Sequence, residues 1–439
     1  MSQLLRSRLP LLQSLPRLLR RPATATLLSR RFLQTPAPTS SKPPPDYAFA
    51  FDIDGVLMHG STPISTASTA LQLLSENSIE FILLTNGGGK SESARTAELS
   101  SRLSVPIHPS QFIQSHTPFA AFAKRPGFET VLVIGGDGDQ CRQVAKEYGF
   151  RNVIIPADIL AAYPPVSPFT TDKAPAHAQP LPSENTKIDA VLVFNDPRDW
   201  ALDLQVLVDV ALSDEGRLGT RRPGNSVKPH IPIYFSNPDL IWANEYHLPR
   251  LGQGGFRAAF NGVISSLRDA QRTERMERAF KPSEGGPIEG RTVEGRSYQD
   301  NLPIMRATVM GKPNRGTYLY AEEVLCSWRK KQLELAGLDQ SHGDVKTVYM
   351  VGDNPASDIR GANNFKSDKN IMWVSVLVKT GVYKGGGRTG EAKVVVEDVL
   401  AAVKWVMERE AIRKRGSVVV WKKSDEKTPP EETAVEAPA

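Results

Sequence analysis

Three short runs in this chain are apolar from end to end, and each stops at a polar side chain. YAFAF ends at Asp52, FILL ends at Thr85, and VYMV ends one glycine before Asp353. A strand with one wet face alternates apolar and polar residues, so an unbroken apolar run reads as a strand covered on both sides. Strands are expected at 47–52, 80–85, 130–135, 188–194, 231–235, 346–351 and 371–377. Amphipathic helices are expected near 65–77, 91–103, 139–148, 199–213, 317–336 and 396–412. Strands alternating with helices give α/β architecture, with parallel sheets covered by helices on both faces. Residues 156–187, rich in Pro, Ser and Thr, read as a long surface loop. Residues 267–300 read as a charged helix running into a Gly-rich segment, and 413–439 as a disordered tail.

Length and charge narrow the classes. A chain of 439 residues is long enough for two or three domains with proper cores. Cys141 and Cys326 are the two cysteines, far apart and in no CxxC pattern, which argues against a disulfide scaffold or a zinc site. No apolar run is long enough for a spanning helix. The net charge of +6 is local. Residues 1–45 hold seven arginines and Lys42 without an acid, leaving 46 basic and 48 acidic residues elsewhere, a net of −2. The body of the chain is therefore not a nucleic-acid binder. The leader, rich in Arg, Leu and Ser, matches a mitochondrial transit peptide, with the Pro-rich 36–45 as a linker. A basic disordered tail that binds membrane or RNA nonspecifically is the alternative.

Side chains at i and i+2 of an extended chain point the same way, so Asp52 and Asp54 enter one crevice beyond the sheet. Two close carboxylates repel unless a cation or a shared proton relieves them, and Mg²⁺ suits such ligands. Alone, D-x-D-G equally describes an Asp-Gly turn. At the second strand end, Thr85 and Asn86 precede three glycines, and free N–H groups at such a turn suit an anion. GGGKS is not a P-loop, since Leu84 stands where that motif has glycine. Lys312 in MGKPN is a lone lysine. Asp353 and Asp358 in VGDNPASDIRGANN would otherwise be helix-capping acids. As a set, these strand ends offer a nucleophile, a second acid, a hydroxyl, a cation and metal-binding acids, the inventory of phosphoryl transfer.

In this order, D-x-D-G-V-L, T-N, G-K-P and G-D-N-x-x-x-D resemble the haloacid dehalogenase-like (HAD) hydrolase superfamily, over residues 47–130 and 302–410. The resemblance implies a Rossmann-like three-layer α/β/α core. Asp52 would be the nucleophile that forms an aspartyl-phosphate, and Asp54 the acid/base. Thr85, Asn86 and Lys312 would hold the phosphoryl group. Mg²⁺ would be bound by Asp353, the Asp52 carboxylate and the Asp54 main-chain carbonyl, with Asp358 in support. Lys312 follows Thr85 by 227 residues, too far for a loop, so an α/β cap domain is expected between them. The expected division is 1–45 leader, 46–130 core, 131–300 cap, 301–412 core and 413–439 tail. Such an insertion is similar to the NagD-like class IIA of the superfamily. Within YFSNPDLIW, Asn237 and Asp239 would approach the site, although a plain Asn-Pro-Asp turn reads equally well. FDIDGVL, LLTNGGG and VGDNPASDIRGAN resemble the mitochondrial NagD-like subgroup related to cat eye syndrome critical region protein 5.

The function implied is a Mg²⁺-dependent phosphatase of a small phosphorylated metabolite, located in mitochondria, in the matrix, with no membrane span and a homodimer left open. The alternatives are a catalytically quiet HAD-fold binding or structural protein, and a role in phospholipid metabolism on glycerol-phosphate-type compounds.

Overall fold

In the computed structural model the described residues are 44–169, 175–223, 230–242, 244, 246–279, 307–338 and 344–415. The proposed leader up to residue 43, the Gly-rich stretch after 279 and the tail beyond 415 lie outside them.

Fifteen strands follow one another along these residues. They are β1 Tyr47–Phe51, β2 Met58–His59, β3 Thr62–Pro63, β4 Phe81–Leu84 and β5 Phe112–Ile113. Next come β6 Thr130–Ile134, β7 Asn152–Ile154, β8 Ala190–Val193, β9 Ile233–Phe235, β10 Ile241–Trp242 and β11 Arg250–Leu251. The last four are β12 Ala307–Val309, β13 Thr347–Gly352, β14 Met372–Val378 and β15 Val394–Val396. Six form one sheet in the order β15-β14-β13-β1-β4-β5, and five form another in the order β12-β9-β8-β6-β7. Every pairing in both sheets is parallel. β2–β3 and β10–β11 are small antiparallel hairpins.

The apolar run YAFAF occupies the middle of the six-stranded sheet and is buried throughout. Its residues alternate between two cores, as the period of a strand requires. Phe49 and Phe51 stack at 5.2 Å among side chains of the helices Ala67–Glu76, Glu92–Leu103 and Val399–Lys414. Ala48 and Ala50 face the other way, where the helix Arg315–Leu335 packs through Tyr318, Ala321 and Leu325. The result is the three-layer α/β/α arrangement, with a second α/β layer system inserted.

The strands that the sequence reading missed are short: in the two large sheets β5, β7, β12 and β15 have two or three residues each, and β2, β3, β10 and β11 of the small hairpins have two. β12 also moves an expected boundary. It pairs with β9 in the five-stranded sheet, so 307–309 go with the inserted sheet and not with the second part of the core. The proposed loop 156–187 opens instead with the helix Pro156–Ala162. Asp158 holds it there: its carboxylate accepts from Arg142 at 3.0 and 2.9 Å and from the Ile155 N–H at 3.0 Å. The charged helix starts earlier than expected, running from Gln253 to Ala279. Helix Val399–Lys414 likewise takes in residues 413 and 414, and Arg413 clamps Glu410 and Asp46.

Candidate active site

β13, β1 and β4 are adjacent and parallel, so the residues just past the end of each strand meet at one edge of the sheet. Asp52 continues the ladder by one bond, its N–H donating to Val351 O at 2.9 Å. The chain then turns at Gly55, whose φ of +85° suits glycine. Space matters there as much as conformation, since a Cβ on Gly55 would lie 2.4 Å from Asp353 Oδ2 and one on Gly381 only 1.8 Å. Two bare main chains thus press on the Asp353 carboxylate, and the Val382 N–H donates to the same oxygen.

Lys312 lies under this edge, fully buried, with Nζ 2.9 Å from Asp52 Oδ1 and 2.7 Å from Asp358 Oδ1. Burial would strip its charge, but Asp358 and Asp52 outweigh burial and hold its pKa above the usual lysine value. Asp358 Oδ2 accepts from the Asn354 N–H at 3.0 Å, so both of its oxygens are engaged. Burial pushes Asp353 well above the usual carboxylate range, with Asp358 and Asp52 adding repulsion. Burial, then the Asp52 charge, pushes Asp54 up to about 6. Thr85 Oγ1 accepts from the Gly87 N–H at 2.9 Å, which leaves its own O–H free to donate.

Asn86 ties the inserted domain to this floor. Its side-chain oxygen accepts from the Lys312 N–H at 2.7 Å, and its Nδ2 donates to Lys312 O at 2.9 Å and to Asp239 Oδ2 at 2.8 Å. Asn237 Nδ2 donates to Asn86 O at 3.0 Å, and Asn237 Oδ1 accepts from the Asp239 N–H at 2.7 Å. Burial raises Asp239 to about 7, against the pull of Asn86. The nine residues singled out from sequence therefore lie in one place. Asp52, Asp54, Thr85, Asn86, Asn237, Asp239 and Asp353 line a cavity of about 620 Å³, with Lys312 and Asp358 directly beneath.

Asp52, Asp353 and Asp358 each offer an oxygen within 4.8 Å of the others. Lys312 takes Oδ1 of Asp52 and the Val382 N–H takes Oδ2 of Asp353, which leaves one oxygen on each for a cation. The upward pull on Asp353 is what a bound cation would relieve. Two buried carboxylates with an oxygen each to spare, and a third, Asp358, close behind them, fit a hard divalent ion.

Sequence reasoning missed the roof. Asn195, Asp196, Arg198 and Trp200 come after β8, and Trp242 and Arg250 stand in the β10–β11 hairpin; all line the same cavity. The rule applied to the other strands, that polar residues at a strand end point to the site, would have found Asp196 in VLVFNDPRDW.

A buried histidine joins the two sheets behind the Gly87–Gly89 turn. The Gly89 N–H donates to His116 Nε2 at 3.0 Å, so Nδ1 carries the proton and donates to Tyr148 OH at 2.9 Å. Tyr148 in turn donates to Glu92. A charged ring would lose the Gly89 bond, and burial lowers the His116 pKa from 6.5 to about 4. Between those values the unfolded chain binds the extra proton, so stability is full above pH 6.5 and falls as pH drops towards 4. Denaturant melts across this window are expected to show wild type losing about 3 kcal/mol more than His116→Gln. Parallel losses in the two proteins would contradict this.

Comparison with known proteins places the chain in a family. Residues 49–151 match the family described as Haloacid dehalogenase-like hydrolase, and residues 309–402 match HAD-hydrolase-like. The chain belongs to the haloacid dehalogenase-like hydrolases. It is 40% identical over 402 residues to Mitochondrial hydrolase YKR070W of Saccharomyces cerevisiae, covering 88% of this chain and all of that protein. It is 37% identical over 375 residues to the Schizosaccharomyces pombe Cardiolipin synthase (CMP-forming) / mitochondrial hydrolase fusion protein, covering 84% of this chain and 55% of that longer one. Among solved structures, hypothetical protein PH1952 from Pyrococcus horikoshii aligns over 82% of this chain and 99% of its own, with 17% identity and a TM-score of 0.49. The inserted sheet between the Thr85 and Lys312 stations is the arrangement that the NagD-like resemblance implied.

Proposed function

We propose that the chain is a Mg²⁺-dependent phosphatase of small phosphate monoesters that works through an aspartyl-phosphate on Asp52. The observation that carries this reading is the clamp of Lys312 on Asp52 and Asp358, beside an Asp54 whose pKa is raised to about 6. Lys312 holds the Asp52 carboxylate in place. An oxygen of that carboxylate forms a bond to phosphorus as the bond from phosphorus to the ester oxygen breaks. Asp54, whose pKa is raised by burial to about 6, gives its proton to the departing oxygen. The Asp54 carboxylate then takes a proton from a water whose oxygen attacks the same phosphorus, releasing phosphate and restoring Asp52. The Thr85 hydroxyl and the N–H groups of the following turn hold the phosphoryl oxygens. Asp52, Asp353 and the Asp54 main-chain carbonyl would hold Mg²⁺, steadied by Asp358; when bound, the ion neutralises charge on the transferring group. In this reading the five-stranded sheet is a cap that roofs the site and keeps macromolecules out.

The test is phosphate release from a panel of glycerol phosphate, phosphoglycolate, pyridoxal phosphate and nucleotides. Release is expected with Mg²⁺, lost with a chelator and restored by the ion. Release from none would favour a binding role on a HAD scaffold, and release indifferent to the chelator would remove the metal.

A second reading, a role on glycerol-phosphate-type compounds of phospholipid metabolism, is supported by the relative named as a fusion with cardiolipin synthase. Adding lipid phosphomonoesters in micelles to the panel separates it from the first. Mitochondrial location is supported by the names of both relatives and by the basic leader, and the matrix is the compartment we propose. A reporter carrying residues 1–45 that stayed in the cytosol would count against it.

A further inference from the structure

Five acids line the cavity, and four of them are accounted for. Asp52 meets Lys312, Asp353 meets the Val382 N–H, Asp239 meets Asn86, and Asp54 moves protons. Asp196 is the fifth. It stands in the roof three residues past β8, held by its main chain: its carbonyl accepts from the Gly136 N–H at 3.2 Å and from Arg198 Nη1 at 2.6 Å. Its carboxylate makes no ion pair and takes no side-chain hydrogen bond among the described residues. Oδ1 is buried, 3.7 Å from where a Cβ on Gly252 would lie, so the other oxygen is the one that meets the cavity. Burial raises the Asp196 pKa, against the pull of Arg198 and of the Gln253 N–H. A carboxylate so placed is costly unless a donor reaches it.

Asp54 locates the donor. In the phosphatase reading the alcohol departs beside Asp54, and Asp196 is close enough across the cavity for its charge to add to the rise in the Asp54 pKa. The body of the alcohol therefore lies between the two acids. The cations of the same wall are engaged already. Lys90 and Arg95 pair with Glu98 at 2.9 and 3.0 Å, Arg198 pairs with Asp137 at 3.0 Å, and Arg250 lies over the Tyr246 ring. What the roof offers the alcohol is an acceptor. We propose that Asp196 is a specificity-determining residue: it accepts a hydrogen bond from a hydroxyl or an ammonium on the leaving alcohol, and it disfavours alcohols that carry a carboxylate there. The inference rests on the phosphatase reading and narrows it to esters of polyols or amino alcohols.

The experiment is calorimetric titration, with Mg²⁺ present, of the full chain carrying Asp52→Asn, which binds esters without turning them over. Glycerol phosphate or phosphoethanolamine is expected to bind about tenfold more tightly than propyl phosphate, which lacks the donor. Adding Asp196→Ala should remove that advantage. Asp196→Asn, whose amide oxygen still accepts, should keep it for the hydroxyl ester and lose it for the ammonium one. In Asp196→Asn, phosphoglycolate should gain about tenfold on propyl phosphate, since the like charge is gone. A merely structural role would weaken all the esters alike, so unchanged ratios in both variants would overturn the proposal. So would donor esters that bind no better than propyl phosphate before Asp196 is touched. If Asp196→Ala does not fold, the nearly isosteric Asp196→Asn decides through phosphoglycolate and phosphoethanolamine. Phosphate release by wild type is scored separately: its absence removes the phosphatase reading, while the binding ratios still decide the role of Asp196.

Discussion

Asp52→Asn is expected to end phosphate release, with kcat falling by about 10⁴-fold or more, as for other enzymes that lose their nucleophile. The substitution is nearly isosteric, and its amide oxygen can still accept from Lys312, which stands 2.9 Å from Asp52 Oδ1. Folding and ester binding should therefore survive, so the loss should fall on kcat rather than KM. Steady-state kinetics on p-nitrophenyl phosphate and an alkyl phosphate measure it. Asp54→Asn provides the contrast. A nitrophenolate leaves without a proton, so this variant should lose far more activity on the alkyl ester than on the aryl one. Release by Asp52→Asn within tenfold of wild type would remove the covalent step and point to direct attack by water.

Lys312→Met is expected to cost roughly 3–5 kcal/mol of stability in metal-free buffer as well as all activity, because it leaves buried carboxylates without their counter-charge. Lys312 is fully buried and lies within 3 Å of both Asp52 and Asp358, while Asp353 adds a third carboxylate beside them. Denaturant unfolding measures the loss. Adding Asp358→Asn to the variant should recover part of the stability, since one of the stranded charges is gone. A Lys312→Met protein as stable as wild type without metal would mean that the lysine does not balance these acids.

The core sheet was legible because its middle strands are covered on both faces, and YAFAF, FILL and VYMV have no polar residue to mark a wet side. The residues closing those strands were legible for the same reason, since a polar group after a buried strand stands out. The edges carried little signal: β5 and β12 are too short for a period to show. Helix Pro156–Ala162 was hidden by the Pro, Ser and Thr that follow it, and besides its local cap at Ile155 it is held by the Asp158–Arg142 pair, a contact across 16 positions. The roof residues differ among themselves. Asp196 follows a buried strand and was readable by the same rule. Arg198 and Trp200 lie further on, and only the packing of the two sheets brings them to the cavity that Asp52 and Asp54 line.

The bonds between Asn86 and Lys312 join positions 226 apart. Asp52 and Asp54 emerge early in synthesis, whereas the lysine that offsets their charge arrives only after the whole inserted sheet has been made. A chain growing from its amino end therefore carries its acids uncompensated for most of its length. Native contacts of such long range also form slowly. The order of the gene thus obliges the first half of the core to wait, unfinished, for its own counter-ion.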